Sequence, residues 1–222
     1  LKSDLMLFDS ATGELLSLVE CDWITAMRTG AVATLAIKTF RSTTASVYAF
    51  VGLGSTARAT LTCLLESSPA EELNIRLFRY KDQAEKIVAE YGHYANARFE
   101  IVDTMEELVA GADVVVSCIT DAQGLLVEDE SLFKPGVLVV PVHTRGFQNC
   151  DTTFDKVFAD DTDHVKGFRY FSQFREFHQI EEVLKGECAG RANDQERILS
   201  YNIGLGLHDV YYANKIYELL NR

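Results

Sequence analysis

The sequence predicts an α/β protein built on a doubly wound parallel sheet. Three observations carry this expectation. First, Asp113-Val114-Val115-Val116-Ser117-Cys118-Ile119 and Val137-Leu138-Val139-Val140-Pro141-Val142 are short and almost continuously apolar. Strands of that kind are buried on both faces, as in a parallel sheet covered by helices. Second, such runs alternate with amphipathic helical patterns along most of the chain, the order of a βαβ array. Third, Gly52, Gly54 and Ala57 form a G-x-G-x-x-A turn between a strand pattern and a helix pattern, the setting of a Rossmann-type dinucleotide-binding turn.

The elements follow in order. Residues 5–9 and 14–20 read as two strands joined through Ala11-Thr12-Gly13, a hairpin. Asp22 is placed to cap a helix over 23–40, with Ile24, Met27, Ala31 and Leu35 on its apolar side. Residues 41–44 look like a crossing into a second domain. There, strands are expected over 46–51, 73–78, 98–102, 113–119, 137–142 and 156–160, with a further one at 168–171. Helices are expected over 55–66, 82–91 and 105–109, and a long helical pattern, interrupted by Gly204 and Gly206, over 194–220. The domain reading is therefore a partial substrate or dimerisation unit (1–42), a dinucleotide-binding domain (43–190) and a C-terminal helix returning to the first unit (191–222). The two chain ends would form the remnant of a smaller α+β domain beside the main sheet.

Composition narrows the function classes. The 222 residues carry a formal net charge of −12. Such a surface repels phosphate backbones and anionic membranes, which argues against a nucleic-acid or membrane-surface protein. No apolar run approaches the roughly 18 residues of a membrane helix. The five cysteines (Cys21, Cys63, Cys118, Cys150 and Cys188) are dispersed and form no C-x-x-C pair, so no metal site or disulfide framework is expected. Reduced thiols fit a cytoplasmic protein. His164, His178 and His208 show no metal-ligand spacing and read as structural or solvated, and the acidic runs at 160–163 and 181–182 as solvated surface. The chain opens on Leu1-Lys2-Ser3-Asp4, which is no signal peptide and points to a fragment or a processed product.

The glycine turn carries the cofactor expectation. Gly52 permits the tight turn, Gly54 lets the backbone approach a pyrophosphate, and Ala57 lets the helix pack close to the strand. The helix start at Ser55, Thr56 and Ala57 offers N–H groups and partial positive charge to phosphates. The alternative is a glycine turn without ligand. An NAD site commonly has an acidic residue at the end of the second strand. This chain has Arg79 there and Lys81 beside it, a pair suited to a 2′-phosphate. The expected cofactor is therefore NAD(P), leaning to NADP, although Arg79 stacked on the adenine with Lys81 in solvent would leave the choice open. Cys118, Ile119 and Thr120 close the fourth strand of the array, where ligands bind in open parallel sheets. Cys118 reads as a small buried residue rather than a nucleophile, since no acid–base partner is assigned to it.

Four stretches taken together resemble the ornithine cyclodeaminase/mu-crystallin family: 13–16 leading to Ile24-Thr25-Ala26-Met27-Arg28-Thr29-Gly30-Ala31; the turn at 52–58; 112–120; and Gly190-Arg191 followed by Gly204-Leu205-Gly206-Leu207-His208-Asp209. The resemblance implies a homodimer, with most of the substrate domain in a segment ahead of Leu1. It implies that Arg28 binds the α-carboxylate of a small amino-acid or imine substrate, and that Asn202, in the last helix, stands near the nicotinamide. Cyclodeaminases of the family carry an acid/base Asp after the fifth strand of the nucleotide domain. No Asp matches it here; His143 and Asp151 are the candidate catalytic replacements, His143 otherwise being a hydrogen-bonded loop histidine. The implied activity is cyclodeamination, such as ornithine to proline and ammonia. The alternatives are an NAD(P)H-dependent ketimine reductase or amino-acid dehydrogenase, and a non-catalytic NADP-binding protein or accessory subunit.

Overall fold

A computed structural model describes residues 2–120 and 122–221. In chain order the elements are β1 (Asp4–Phe8), β2 (Leu15–Glu20), α1 (Asp22–Phe40), β3 (Val47–Val51), α2 (Ser55–Glu66), β4 (Leu73–Phe78), α3 (Gln83–Tyr91), β5 (Ala97–Val102), α4 (Met105–Val109), β6 (Val114–Ser117), β7 (Leu138–Pro141), α5 (Cys150–Thr153), β8 (Lys156–Ala159), α6 (Thr162–Val165), β9 (Phe177–Gln179), α7 (Ile180–Leu184), β10 (Ile198–Tyr201) and α8 (Gly206–Leu220). β1 and β2 pair antiparallel as a separate hairpin. The other strands make one sheet in the order β5-β4-β3-β6-β7-β10-β8-β9, parallel throughout.

Burial explains the parallel arrangement. Every residue of β6, β7, β8 and β10 is buried, so neither face of these strands meets water. One apolar core lies on the face covered by α1, α2, α3 and α7, and contains Phe40, Tyr48, Leu61 and Phe158. The other contains Val115, Val139, Phe147, Phe154 and Tyr201. The chain winds outward from β3 through β4 to β5, then returns to β6 on the opposite side of β3. This reversal between β3 and β6 is the crevice where open α/β sheets bind ligands. Gly52 sits over it at φ +78°, and a Cβ there would lie 2.5 Å from the Cys118 carbonyl carbon.

α1 joins the hairpin to the sheet. A Cβ on Gly30 would stand 2.5 Å from the Thr60 backbone nitrogen, so α1 and α2 are in backbone contact. Its inward face is Ile24, Arg28, Gly30, Ala33, Ile37 and Phe40. This corrects the apolar side expected from spacing, since Leu35 is exposed. Glycine contact turns the helix so that three polar side chains, Arg28, Thr29 and Thr34, face inward. Helix α1 also begins at Asp22 instead of being capped by it; the Asp22 carboxylate accepts from Ser3 N at 2.7 Å and ties α1 to the hairpin.

Two further expectations are corrected. Residues 194–220 are not one helix: β10 inserts between β7 and β8, and only 206–220 are helical. Its sequence Ile198-Leu199-Ser200-Tyr201 is a fully buried four-residue strand, too short for periodicity to separate it from a helix. The strand expected at 168–171 is instead turn and a 3-10 segment (Phe171–Gln173), and the edge strand β9 comes later. Phe171, Phe174 and Phe177 contact one another there, so their apolar pattern reports a ring cluster. No helix among the described residues is long and apolar enough to cross a membrane.

Candidate active site

The β3–α2 turn is shaped by its glycines. Gly54 precedes α2 and no side chain caps the helix, which leaves its first N–H groups directed at the crevice. A Cβ on Gly54 would meet no atom within 4 Å. Space for a ligand therefore opens at Gly54, whereas Gly52 is closed against the chain. Ala57 is fully buried beneath the helix. A cavity of about 440 Å³ adjoins the turn, lined by Gly52, Gly54, Cys118, Ile119 and Thr120 and, at its other end, by Phe78, Tyr80 and Gln83. Tyr80 and Gln83 carried no sequence signal. Burial pushes the Cys118 thiol up to about 12, so it stays protonated at neutral pH.

Arg79 and Lys81 do not line this cavity. The Arg79 guanidinium pairs with Asp103 (2.7 Å) and with Glu85. Lys81 adopts φ +53° and places its ammonium 5.1 Å from the Tyr80 ring centre.

The other half of the site is assembled from distant segments. Arg28 is buried, and its Nε donates to Asp209 Oδ1 of α8 at 3.1 Å. Thr25 Oγ1 donates to the same oxygen at 2.9 Å. Arg28 Nη1 is buried with no hydrogen-bond partner among the described residues. It lies against Gly204: a Cβ there, at φ +97°, would be 1.9 Å from that nitrogen. Gly204 N donates to Asp160 Oδ2, and Asp160 Oδ1 lies 3.1 Å from His164 Nδ1 with its side chain only 3% exposed. Asp160 is thus an interior anchor for the loop that meets Arg28, which corrects the solvated reading of this acidic residue. Sequence reasoning missed Asp160 as a support. Asp209 stood in the motif, and only its pairing with Arg28 was invisible.

Asn202 follows β10 directly and is not in the last helix. It is fully buried; its N donates to Pro141 O at 3.0 Å and its Nδ2 to Ser200 O at 2.8 Å. Its Oδ1 has no partner among the described residues. Next to Pro141, on the loop leaving β7, His143 Nε2 lies 2.6 Å from Ser117 Oγ at the end of β6. Burial lowers the His143 pKa, so its imidazole is neutral at neutral pH. Asp151, the other acid/base candidate, is brought to a different place. It is 1% exposed and accepts from the Tyr201 hydroxyl at 2.7 Å. Burial pushes its carboxyl up to about 6. Its side chain is buried in the core on the α5 side.

A wide groove of about 960 Å³ flanks the His143 loop. Arg145, Thr144, Gln148 and Asn149 line one part of it, and Arg169 and Tyr170 another.

Comparison with known proteins places this geometry. The ornithine cyclodeaminase/mu-crystallin family model matches residues 3–222. The chain is 29% identical over 222 residues to the nodulation efficiency protein NfeD of Rhizobium meliloti, covering 97% of this chain and 68% of that protein. It is 26% identical over 230 residues to the Delta(1)-pyrroline-2-carboxylate reductase of Bacillus thuringiensis subsp. konkukian, covering 96% and 69%. The structure of the Thermococcus litoralis Delta(1)-pyrroline-2-carboxylate reductase in complex with NADH and L-proline superposes with a TM-score of 0.83 at 22% identity, over 98% of this chain and 71% of that one. The match over residues 3–222 makes this protein a member of the ornithine cyclodeaminase/mu-crystallin family.

Proposed function

We propose that the protein carries out NAD(P)-dependent hydride transfer at the α-carbon of a small amino acid, working in the direction of α-imino acid reduction. One observation carries the reading: a buried guanidinium, Arg28, keeps its Nη1 without a partner among the described residues, beside Gly204 on the loop that leaves β10. A buried donor of this kind is costly unless something pairs with it. A substrate carboxylate supplies that partner in charge-assisted form. Asp209 and Thr25 hold the guanidinium in place, and Gly204 leaves it room.

The residues present also fit a dinucleotide. The uncapped start of α2 and the open side of Gly54 suit its pyrophosphate, and the cavity ending at Tyr80 and Gln83 suits its adenosine. The unpartnered Oδ1 of Asn202 suits a carboxamide N–H. When bound, the nicotinamide supplies or takes up the hydride. His143, held by Ser117, is the acid/base in this proposal. As a neutral imidazole it takes the proton released when an amine becomes an imine, and returns it in reduction. We propose NADH as at least as good a cofactor as NADPH, because a 2′-phosphate has to draw Arg79 away from Glu85 and Asp103. We also propose that two copies associate; the exposed Met6, Leu18, Trp23 and Leu207 support burial against further protein.

Cyclodeamination begins with the same hydride step, and the neutral His143 could equally serve the amine exchange it needs. The test is to follow reduced cofactor with Delta(1)-pyrroline-2-carboxylate and, separately, ammonia release from L-ornithine with NAD+. Consumption of NADH with formation of proline supports imine reduction. Ammonia release without net change in cofactor selects the cyclodeaminase. Absence of both, with NADH bound, overturns an enzymatic role and leaves the binding-protein reading.

A further inference from the structure

We propose that His178, Glu182 and Cys188 form a zinc-binding site at the β9 edge of the sheet. β9 lies five strands from β3 in the sheet order, so this cluster takes no part in the crevice chemistry. Ligand atoms of the three side chains lie within 4.8 Å of one another. His178 Nδ1 and Glu182 Oε2 are 2.8 Å apart. A tetrahedral zinc with ligands at about 2.0–2.3 Å holds them about 3.3–3.8 Å apart, so small side-chain adjustments close the site around an ion.

The backbone presets this geometry. Gln179 and Glu182 make a capping box at the start of α7: Gln179 N donates to Glu182 Oε1 at 3.0 Å, which fixes the carboxylate and directs Oε2 at His178. At the other end of α7, Gly186 at φ +75° reverses the chain. Gly186 N donates to Val183 O (3.0 Å) and Glu187 N to Glu182 O (2.9 Å), the paired bonds of a Schellman motif. Cys188 is therefore carried back over the turn that presents Glu182. Lys156 Nζ secures the far side through Gly190 O at 2.8 Å.

The chemistry selects the metal. A thiolate, an imidazole and a carboxylate together suit zinc, whereas magnesium and calcium prefer all-oxygen sets. Glu176 Oε1, 3.7 Å from His178 Nε2, is near enough to support the imidazole as an outer partner. Zinc binding displaces the Cys188 proton and leaves a thiolate ligand. Bound there, zinc would tie the 185–190 turn to β9, an edge strand that needs protection from pairing with other chains.

The test uses zinc and cobalt with the whole protein. After dialysis against zinc and removal of free metal, about one equivalent of zinc is expected per chain. The cobalt form is expected to show thiolate-to-metal charge-transfer absorption. Cys188→Ser is expected to abolish that band, and both Cys188→Ser and His178→Gln to weaken zinc binding at least about tenfold. Cys63→Ser is expected to leave both unchanged. Circular dichroism and NADH binding report whether each variant is folded. A folded wild-type protein that binds no zinc, or zinc binding equally tight in folded Cys188→Ser, overturns the proposal.

Discussion

The two halves of the crevice are built by different means. The cofactor half is local: Gly52, Gly54 and the start of α2 lie within a few residues, and their conformations follow from one strand–turn–helix unit. The half proposed for the substrate is assembled from far apart. Arg28 meets Asp209 across 181 positions, His143 meets Ser117 across 26, and Gly204 is held by Asp160 across 44. Local geometry survives most changes elsewhere in the chain, whereas a site made of long-range contacts depends on the packing that brings its helices together. The contact most responsible for that packing is between α1 and α2 at Gly30.

The largest effect is therefore expected away from both ligands. Gly30→Val forces a side chain into the Thr60 backbone and is expected to destabilise the fold by about 3 kcal/mol, read as a lower midpoint in urea. It also displaces α1, and with it Arg28. Unchanged stability would mean that the two helices can separate without cost.

Arg28→Lys separates the halves more finely. Lysine keeps the charge facing Asp209 but loses the planar second face. KM for the imino acid is expected to rise about tenfold or more, corresponding to about 1.4 kcal/mol, with NADH affinity unchanged. An unchanged KM would remove Arg28 from the substrate site.

Asp151 gives the smaller test, in the core behind the site. Its folded pKa of about 6 exceeds the unfolded value near 3.9. The native state therefore holds its proton while the unfolded state loses it, so the contribution is fully present below about pH 4. It is lost as pH rises through about 6, a change of at most about 3 kcal/mol. Asp151→Asn is expected to melt with less loss between pH 4 and 7 than the wild type. If the two follow the same pH profile, Asp151 is ionised in the core at all these values.

The same contrast decides what the sequence made legible. The doubly wound sheet followed from short buried runs such as Val114–Ser117, and the dinucleotide turn from three residues in one local context. Arg28 was visible because a motif surrounded it, while its burial against Gly204 was not. β10 escaped notice because four buried residues carry no period, and because the chain reaches it only after leaving the sheet at β9. Arg79 has the position in sequence of a phosphate contact, and Glu85 and Asp103 are brought to it by α3 and by the end of β5. Long-range ion pairs leave no local trace, and they decide which charges remain free for a ligand.

The most direct test of the cofactor half compares Gly54→Val with the wild type in a fluorescence titration by NADH. A Cβ at Gly54 meets no atom of the described residues within 4 Å and its backbone is in an extended conformation open to any residue, so the variant is expected to fold with stability within about 0.5 kcal/mol of the wild type. If the pyrophosphate rests against this turn, NADH affinity falls at least about tenfold while the melting temperature stays the same. Wild-type affinity for NADH in Gly54→Val would contradict the account and place the dinucleotide elsewhere.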